Sequence, residues 1–110
     1  MVTVYAIPNC NTVKKAIEWL KLHAIEFQFH DYKKQGITKE KLNEWILQKD
    51  WQLLINKKGT TWKMLDVATQ ASIIHKDAAI GLMLEKTSII NIPVIEYNCK
   101  IFLLWFDIYY

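Results

Sequence analysis

The hydrophobic pattern of the first thirty residues changes its period twice, and this change restricts the fold more than any other feature of the chain. Residues 2–7 form a short apolar run with the length of a buried strand, and residues 26–30 alternate polar and apolar side chains. Between them, residues 11–23 carry apolar side chains at helical spacing. The members of this apolar face are Val13, Ala16, Ile17 and Leu20. A strand, a helix and a strand within about thirty residues predict a βαβ unit whose two strands are parallel.

The middle of the chain has the pattern of a helical block. Thr38 is a suitable N-cap for a helix that extends to about Lys49. A loop follows around residues 57–60, and further helical sequence extends over about residues 61–86 with a break near residues 72–75. The side chains that we expect to point inward from the first of these helices are Leu42, Trp45 and Ile46. The tryptophans lie among apolar neighbours, which predicts core positions for them.

The last part of the chain predicts a β-hairpin. Residues 93–97 read as a strand, Asn98-Cys99 as a two-residue turn, and residues 100–104 as the antiparallel partner. Beyond this strand we expect Trp105 and Phe106 to cap the core. The complete order therefore predicts an α/β fold with a thioredoxin-like mixed sheet, βαβ and then ββ. We expect a single domain over residues 1–110, with a helical insertion of about residues 38–90 between the halves.

The composition limits the classes of function. A hydrophobic fraction of 52% and a charged fraction of 23% are typical of a soluble globular protein. No apolar run is long enough to span a bilayer and no secretory leader is visible, so we expect no membrane association. The two cysteines do not make a disulfide framework, which favours the reducing cytoplasm. The basic side chains are all lysines and are dispersed, and the three histidines are scattered, so we expect neither direct nucleic-acid binding nor a metal site.

Cys10 is the main candidate for chemistry. It follows the first strand and Pro8-Asn9, and it precedes the helix that begins at Asn11-Thr12. Free amides and the helix dipole stabilise an anion at a helix N-terminus, so a thiol there ionises readily and becomes a nucleophile. The alternative is that Cys10 is a small buried apolar residue. The strand–turn–helix context favours the reactive thiol.

Four separated motifs resemble the ArsC-like family, which includes arsenate reductases and YffB-type proteins and is related to the Spx regulators. They are residues 2–16 (VTVYAIPNCNTVKKA), residues 29–34 (FHDYKK), residues 56–66 (NKKGTTWKMLD), and Asp77-Ala78-Ala79 with Leu82-Met83. These motifs extend over nearly the whole chain in the order that the family has. The resemblance implies a thioredoxin-like fold with a helical insertion, in agreement with the pattern of strands and helices.

The resemblance also implies a site. The catalytic cysteine of the family matches Cys10, and its Arg-Pro step with a cis proline matches Ile92-Pro93; the alternative is an ordinary trans proline at the start of a strand. Backbone groups of Ile92 would then hydrogen-bond a peptide-like thiol. Glutathione is therefore the implied co-substrate, with no bound cofactor and with glutaredoxin as a further candidate partner. The amides of Asn11 and Thr12, with the Thr12 hydroxyl, would stabilise the thiolate.

The sequence departs from the family at its anion-binding arginines. The matching positions are occupied by Lys58, Lys63 and Ile92. Lysine keeps the charge but lacks the bidentate fork that suits an oxyanion, and isoleucine lacks both, so we do not expect arsenate reduction. The alternative for Lys58 and Lys63 is an ordinary solvated surface. Lys14, one turn into the first helix, is a further source of positive potential at the candidate site.

A second departure is the absence of a local partner for the reactive thiol. Val13 occupies the position where a Cys-x-x-Cys pair needs its second cysteine, and Cys99 lies at the far end of a strand, about 20 Å away. We therefore predict a cytoplasmic monothiol oxidoreductase in which Cys10 attacks the substrate and external glutathione resolves the adduct. The alternatives are a non-enzymatic, Spx-like regulator that binds RNA polymerase and a family member without activity. The sequence leaves the substrate and the oligomeric state open.

Overall fold

The computed structural model describes residues 1–103 of the chain. Its contacts divide the chain into two compact units. The first is formed by Met1–Gln35 together with the segment from Ile92 onward, and the second by Gly36–Asn91. Within residues 1–103, no helix has both the length and the hydrophobicity that crossing a membrane requires. The expected capping role of Trp105 and Phe106 lies outside the described residues.

The first unit contains a mixed four-stranded sheet. Its elements are β1 (Val2–Ala6), α1 (Asn11–Leu22), β2 (Phe27–Asp31), α2 (Tyr32–Gln35), β3 (Val94–Tyr97) and β4 (Lys100–Leu103). The strand order is β2-β1-β3-β4, with β1 parallel to β2 and β3 antiparallel to both β1 and β4. The thioredoxin-like sheet, the leading βαβ unit and the terminal hairpin are thus confirmed.

The core of this unit lies between one face of the sheet and α1. Its buried members are Val2, Val4, Ala6, Val13, Leu20 and Ile95. Side chains alternate across a strand and recur every three to four residues along a helix, so the two sequence periods bring these residues to one side. Cys10 and Ile92 are partly buried and pack against this cluster. The same core that stabilises the sheet therefore supports both residues.

The strands β3 and β4 are joined by a two-residue turn at Asn98-Cys99, as the sequence predicts. Asn98 has a φ of 50° and Cys99 a φ of 64°. Two successive positive φ angles are typical of a type I′ turn, which matches the twist of the flanking strands. Asparagine tolerates this conformation, whereas cysteine occupies a position where glycine is usual. The turn therefore holds Cys99 in a strained backbone conformation.

The second unit is helical. Its elements are α3 (Lys39–Ile46), α4 (Trp51–Leu54), α5 (Thr60–Lys63), α6 (Val67–Ser72), α7 (Lys76–Glu85) and a 3₁₀ turn at Thr87–Ile89. Near the end of this unit, Ile90 forms an isolated antiparallel β-bridge with Ile55. The Asn91 side chain donates from Nδ2 to the carbonyls of Leu53 at 2.7 Å and Ile55 at 3.3 Å. These hydrogen bonds hold the residue that directly precedes Ile92 in the chain.

The first helix of this unit, α3, is shorter than the sequence predicts. Its N-cap is Thr38 as expected, and the Thr38 hydroxyl accepts the Lys41 amide at 3.1 Å. The helix ends at Ile46 instead of near Lys49. The amide of Gln48 bonds to a carbonyl three residues back, which tightens the chain into a 3₁₀-type turn and ends the helix.

The predicted helical stretch of residues 61–86 is divided into three helices. The predicted break near residues 72–75 is present, and His75 Nδ1 accepts the Ala78 amide at 3.3 Å to cap α7. A further break, which the sequence pattern does not predict, separates α5 from α6. There the Asp66 carboxylate accepts the Thr69 amide at 2.7 Å. Each of these side-chain caps starts a new helix because it satisfies an amide that the helix itself leaves open.

The core of the second unit lies where α3 packs against α7. Trp45 and Leu42 of α3 and Met83 of α7 are fully buried. The core position predicted for Trp45 is therefore confirmed. For Trp19 of the first unit the same prediction is wrong, because this side chain is 49% exposed and stacks on His23 with ring centroids 4.2 Å apart. His23, four residues further along and directly after the end of α1, gives this ring a stacking partner at the surface.

Candidate functional site

Cys10 is the N-cap residue of α1. Its backbone is extended, with φ −105° and ψ 131°, and its carbonyl accepts the Lys14 amide at 2.9 Å. Asn9 precedes it with a φ of 64°, which turns the chain from β1 toward the helix. Cys10 is a partly buried thiol. The residue thus lies at the strand-to-helix transition, where the sequence pattern places it.

The first turn of α1 offers backbone donors beside this thiol. The first amides of an α-helix have no carbonyl acceptor within the helix, and those of Asn11 and Thr12 belong to this group. The Cys10 side chain forms no capping hydrogen bond with the first turn in this structure, and that turn carries no acidic side chain. The positive end of the α1 dipole is therefore not neutralised by a carboxylate from its own first turn.

The peptide bond between Ile92 and Pro93 is cis, as the resemblance implies. Pro93 is fully buried and directly precedes β3. Tyr5 pairs with Val94 in the antiparallel register of β1 and β3. The last residues of β1 and the first residues of β3 therefore lie at the same end of the sheet. Cys10 follows β1 at that end of the sheet, and both Cys10 and Ile92 contact the same core cluster. The structure therefore places Cys10 and the Ile92–Pro93 step at the same end of the sheet.

The lysines of the candidate site are exposed. Lys14 lies one turn into α1 in the first unit. Lys58 and Lys63 belong to the second unit, where the Lys58 amide donates to Asn56 Oδ1 at 3.1 Å and Lys63 is the last residue of α5. Among residues 1–103, none of these three side chains forms a salt bridge. Their ammonium groups therefore carry uncompensated positive charge at the surface.

Cys99 lies at the other end of the sheet from Cys10. It follows Tyr97, the last residue of β3, whereas Cys10 lies beside the first residues of that strand. The structure contains no disulfide between them. In the described part of the chain, no group of three or more histidine, cysteine, aspartate or glutamate side chains is arranged to hold a metal ion.

A polar cluster on the second face of the sheet was not predicted. The Tyr5 hydroxyl donates to Glu96 Oε1 at 3.1 Å, and the Tyr5 ring lies 4.7 Å from the His30 ring. The Tyr32 hydroxyl is buried and has no hydrogen-bond partner among residues 1–103. Burial raises the pKa of Tyr32 well above its usual value, with a smaller contribution from Tyr5. The cluster forms because the register of β1 and β2 pairs Tyr5 with His30. Periodicity alone does not predict that register, so the sequence pattern does not indicate the cluster.

The chain matches known proteins over nearly its whole length. The sequence profile of the ArsC family matches residues 5–103. An uncharacterised protein of Haemophilus influenzae is 41% identical over 100 residues, which span 91% of this chain and 87% of the relative. The regulatory protein MgsR of Bacillus subtilis is 26% identical over 102 residues, which span 90% of this chain and 79% of the relative. The solved structure of a YFFB protein is 38% identical with a TM-score of 0.88, and the match covers 94% of this chain and 90% of that one.

Proposed function

The chain belongs to the ArsC family, and we propose that it is a monothiol oxidoreductase in which the Cys10 thiolate is the nucleophile and glutathione the co-substrate. The observation that carries this proposal is the position of Cys10. It is the N-cap residue of a helix whose first turn has no carboxylate, and it shares a core cluster with Ile92. Helix N-termini stabilise thiolates, and the thiolate is the form of cysteine that attacks disulfides.

A disulfide between glutathione and another thiol is the simplest substrate. The Cys10 thiolate attacks the glutathionyl sulfur, the disulfide bond breaks, and the other sulfur leaves as a thiolate. A glutathione thiolate then attacks the disulfide that joins Cys10 to glutathione, which releases glutathione disulfide and restores the Cys10 thiolate. The net reaction converts the mixed disulfide and one glutathione into a free thiol and glutathione disulfide. It requires a reducing compartment such as the cytoplasm.

In this proposal, the other site residues bind and orient glutathione. The amides of Asn11 and Thr12 stabilise the thiolate, and the Ile92 backbone pairs with the peptide of glutathione. The exposed ammonium group of Lys14, in the same unit as Cys10, attracts its carboxylates, since glutathione carries net negative charge. Lys58 and Lys63 belong to the second unit, and their part in glutathione binding stays a prediction from the family resemblance. Glutaredoxin is a further candidate reductant, since it exchanges the same glutathionyl group.

Arsenate is not the substrate that we propose. Lys58 and Lys63 present single ammonium groups, and Ile92 presents an apolar side chain. A bidentate guanidinium holds two oxygens of an oxyanion at once, and loss of one such charge-assisted hydrogen bond costs about 1.5–3 kcal/mol. A loss of this size weakens binding by about one to two orders of magnitude.

Turnover with glutathione tests the proposal directly. We expect the wild-type protein to accelerate the reduction of a small glutathione mixed disulfide and to form a glutathione adduct that peptide mass spectrometry assigns to Cys10. The Cys10→Ser variant should lose both activities. Cys99→Ser is the matched control and should keep both, since Cys99 lies at the other end of the sheet. Turnover that survives in Cys10→Ser would overturn the proposal.

A transcriptional regulator is the second candidate function. The MgsR relative, which matches 90% of this chain, is named a regulatory protein, and this observation favours a regulator. Binding to RNA polymerase is the mode of action that the resemblance to the Spx regulators implies. The same fold serves enzymes and binding proteins, so the fold does not decide between them. Two measurements distinguish the regulator from the enzyme: binding to purified RNA polymerase and turnover in the glutathione assay. Stable binding of the wild-type protein to the polymerase, without turnover, would favour the regulator.

A further inference from the structure

Asn9 has an unusual backbone conformation directly before the candidate nucleophile. Its φ of 64° lies in the left-handed region, where the Cβ of an L-residue crowds the backbone. Within residues 1–103, the other residues with a side chain in this region are Ala24, Asn98 and Cys99. Ala24 follows the C-terminal end of α1, and the other two form the hairpin turn, so ordinary helix and turn geometry explains all three. The conformation of Asn9 needs an explanation of its own.

The contacts of the Asn9 side chain do not explain its conformation. This side chain is exposed, and it forms no hydrogen bond with any other described residue. Asparagine is one of the few residues besides glycine that adopt the left-handed region readily. The backbone at position 9, and not a contact of the side chain, therefore selects the residue. Backbone conformations of this kind are concentrated at functional sites.

The turn between β1 and α1 depends on the φ angle of Asn9. Residues 7–10 connect the strand to the helix. The ring of Pro8 fixes its own φ at about −65°, and Cys10 has the extended backbone of an N-cap residue. If Asn9 changed to the right-handed region, the chain would rotate by about 130° at this residue. The direction in which Cys10 leaves the turn is therefore set at Asn9.

The position of α1 does not depend on this turn alone. The helix is anchored in the core of the first unit by its buried side chains, which are Val13, Ala16 and Leu20. Their burial stabilises the helix by more than one unfavourable φ angle costs. A residue at position 9 that avoids a positive φ would therefore distort the turn and leave the helix in place. The Cys10 thiol would then move relative to the open amides of the first turn.

We propose that Asn9 is a positioning residue, whose left-handed backbone keeps the Cys10 thiol beside the open amides of α1. The role belongs to the backbone, so position 9 accepts asparagine or glycine and disfavours β-branched residues. This inference rests on the proposed thiolate chemistry of Cys10. It adds to that site a residue that touches neither the substrate nor the reacting sulfur.

Alkylation by iodoacetamide tests the inference without glutathione. Peptide mass spectrometry follows the two cysteines separately, and the exposed Cys99 is the internal reference. At pH 7 we expect Cys10 of Asn9→Val to react at least about tenfold more slowly than in wild type, because a thiol in an ordinary environment ionises only near about pH 8.5. Asn9→Gly should keep the wild-type rate, since glycine adopts a positive φ without strain.

The pH profile distinguishes a loss of thiolate from a loss of access to the thiol. At about pH 10, where an ordinary thiol is ionised, Cys10 of Asn9→Val should react almost as fast as in wild type. A slow reaction at both pH values would mean that the substitution buries the thiol, and this would contradict the proposed role of the backbone.

Ala24→Val is the matched control. Ala24 has a φ of 55° and is exposed like Asn9, but it follows the opposite end of α1. Valine there creates the same conflict with a positive φ far from the thiol. We expect it to lower the urea midpoint of unfolding as Asn9→Val does and to leave the alkylation rate of Cys10 unchanged. Circular dichroism verifies folding. If Asn9→Val does not fold, Asn9→Ala replaces it and should slow Cys10 by a smaller factor.

The outcomes distinguish this inference from the proposed function. Wild-type reactivity of Cys10 in Asn9→Val, or slow reaction in Asn9→Gly or Ala24→Val, would overturn the inference and leave turnover with glutathione untouched. Fast alkylation of wild-type Cys10 without turnover would overturn only the proposed function. If wild-type Cys10 reacts no faster than Cys99 at pH 7, both are overturned, because no stabilised thiolate is then present.

Discussion

Ile92 is the residue on which the proposal of glutathione, rather than an oxyanion, as the substrate most depends. It contacts the same core cluster as Cys10 and directly precedes the cis proline before β3. The family resemblance implies an arginine here, and an isoleucine offers the substrate only its backbone groups. The identity of this residue therefore favours a substrate that is recognised by its peptide backbone, such as glutathione.

Ile92→Arg should restore part of an oxyanion site. The aliphatic stem of arginine can cover the core cluster while its guanidinium reaches solvent at the end of the sheet where Cys10 lies. We expect arsenate to bind about 10- to 100-fold more tightly, which corresponds to about 1.5–3 kcal/mol for one charge-assisted pair. The affinity is measured by the protection that arsenate gives Cys10 against alkylation. Ile92→Met is the control without charge, and equal protection in both variants would contradict the prediction.

Tyr32 and Tyr5 form a natural pair for a stability experiment. The buried Tyr32 hydroxyl has no hydrogen-bond partner among residues 1–103, whereas the Tyr5 hydroxyl donates to Glu96. A buried hydroxyl without a partner costs about 1–3 kcal/mol, so Tyr32→Phe should raise the free energy of unfolding by up to this amount. Tyr5→Phe should lower it by about 0.5–1.5 kcal/mol. Urea denaturation measures both, and a destabilised Tyr32→Phe would show that the hydroxyl has a bonding partner.

Tyr32 also predicts a dependence of stability on alkaline pH. Burial raises the pKa of Tyr32 in the folded protein, while an unfolded tyrosine ionises near pH 10. The phenolate then forms only in the unfolded chain, so the stabilisation is complete below about pH 10 and is lost as the pH rises above it. Tyr32→Phe lacks this contribution. We expect its free energy of unfolding to fall less between pH 9 and pH 11 than that of wild type, and parallel curves would refute this assignment.

At the scale of elements, side-chain caps determine where α3, α4, α6 and α7 of the second unit begin. Thr38, Asp50, Asp66 and His75 each accept an amide from the first turn of the helix that follows. Thr38 is recognisable from the sequence because an apolar helical pattern follows it. Asp66 is not, because the residues on both sides of it continue a plausible helix and only the folded backbone brings its carboxylate to the Thr69 amide.

Asp66 predicts how α6 responds to acid. The hydrogen bonds from Thr69 hold the pKa of the Asp66 carboxyl below its usual value. Its contribution to stability is therefore complete above the pKa of the unfolded chain and is lost as the pH falls through the lower pKa of the folded protein. We expect the Thr69 amide resonance to titrate below about pH 4. In Asp66→Asn, which keeps a capping oxygen that does not titrate in this range, the same resonance should stay constant.

At the scale of the whole molecule, the periodicity of the sequence predicts more of the fold than of the candidate site. The strand and helix periods of residues 2–30 are enough to place Val4 and Val13 in one core. They do not give the register that pairs Tyr5 with His30, since register depends on contacts between distant segments. For the same reason the position of Cys10 at the N-terminus of α1 was predictable from its local context, whereas the cis bond before Pro93 was expected only from the family resemblance.

The order of the two units along the chain predicts that they lose structure together. The first unit is assembled from two separate parts of the chain. Its strands β1 and β3 pair with each other although the residues of the second unit lie between them in the sequence. If only the second unit unfolded, it would leave a loop of about 55 residues, and closing such a loop costs about 3–4 kcal/mol of entropy. Local unfolding of the helical unit therefore weakens the sheet as well.

Trp45→Ala tests this coupling by hydrogen exchange. The substitution empties a fully buried position in the second unit and should cost about 3–5 kcal/mol. We expect the slowest amides of β1 and of α7 to exchange faster by the same factor, because both report one cooperative unfolding. Leu47→Ala, at a position that is 89% exposed, should change neither. If the amides of α7 accelerate while those of β1 keep their wild-type rates, the sheet is stable without the helical unit, and the thiol site at its edge then depends on residues 1–35 and the last strands alone.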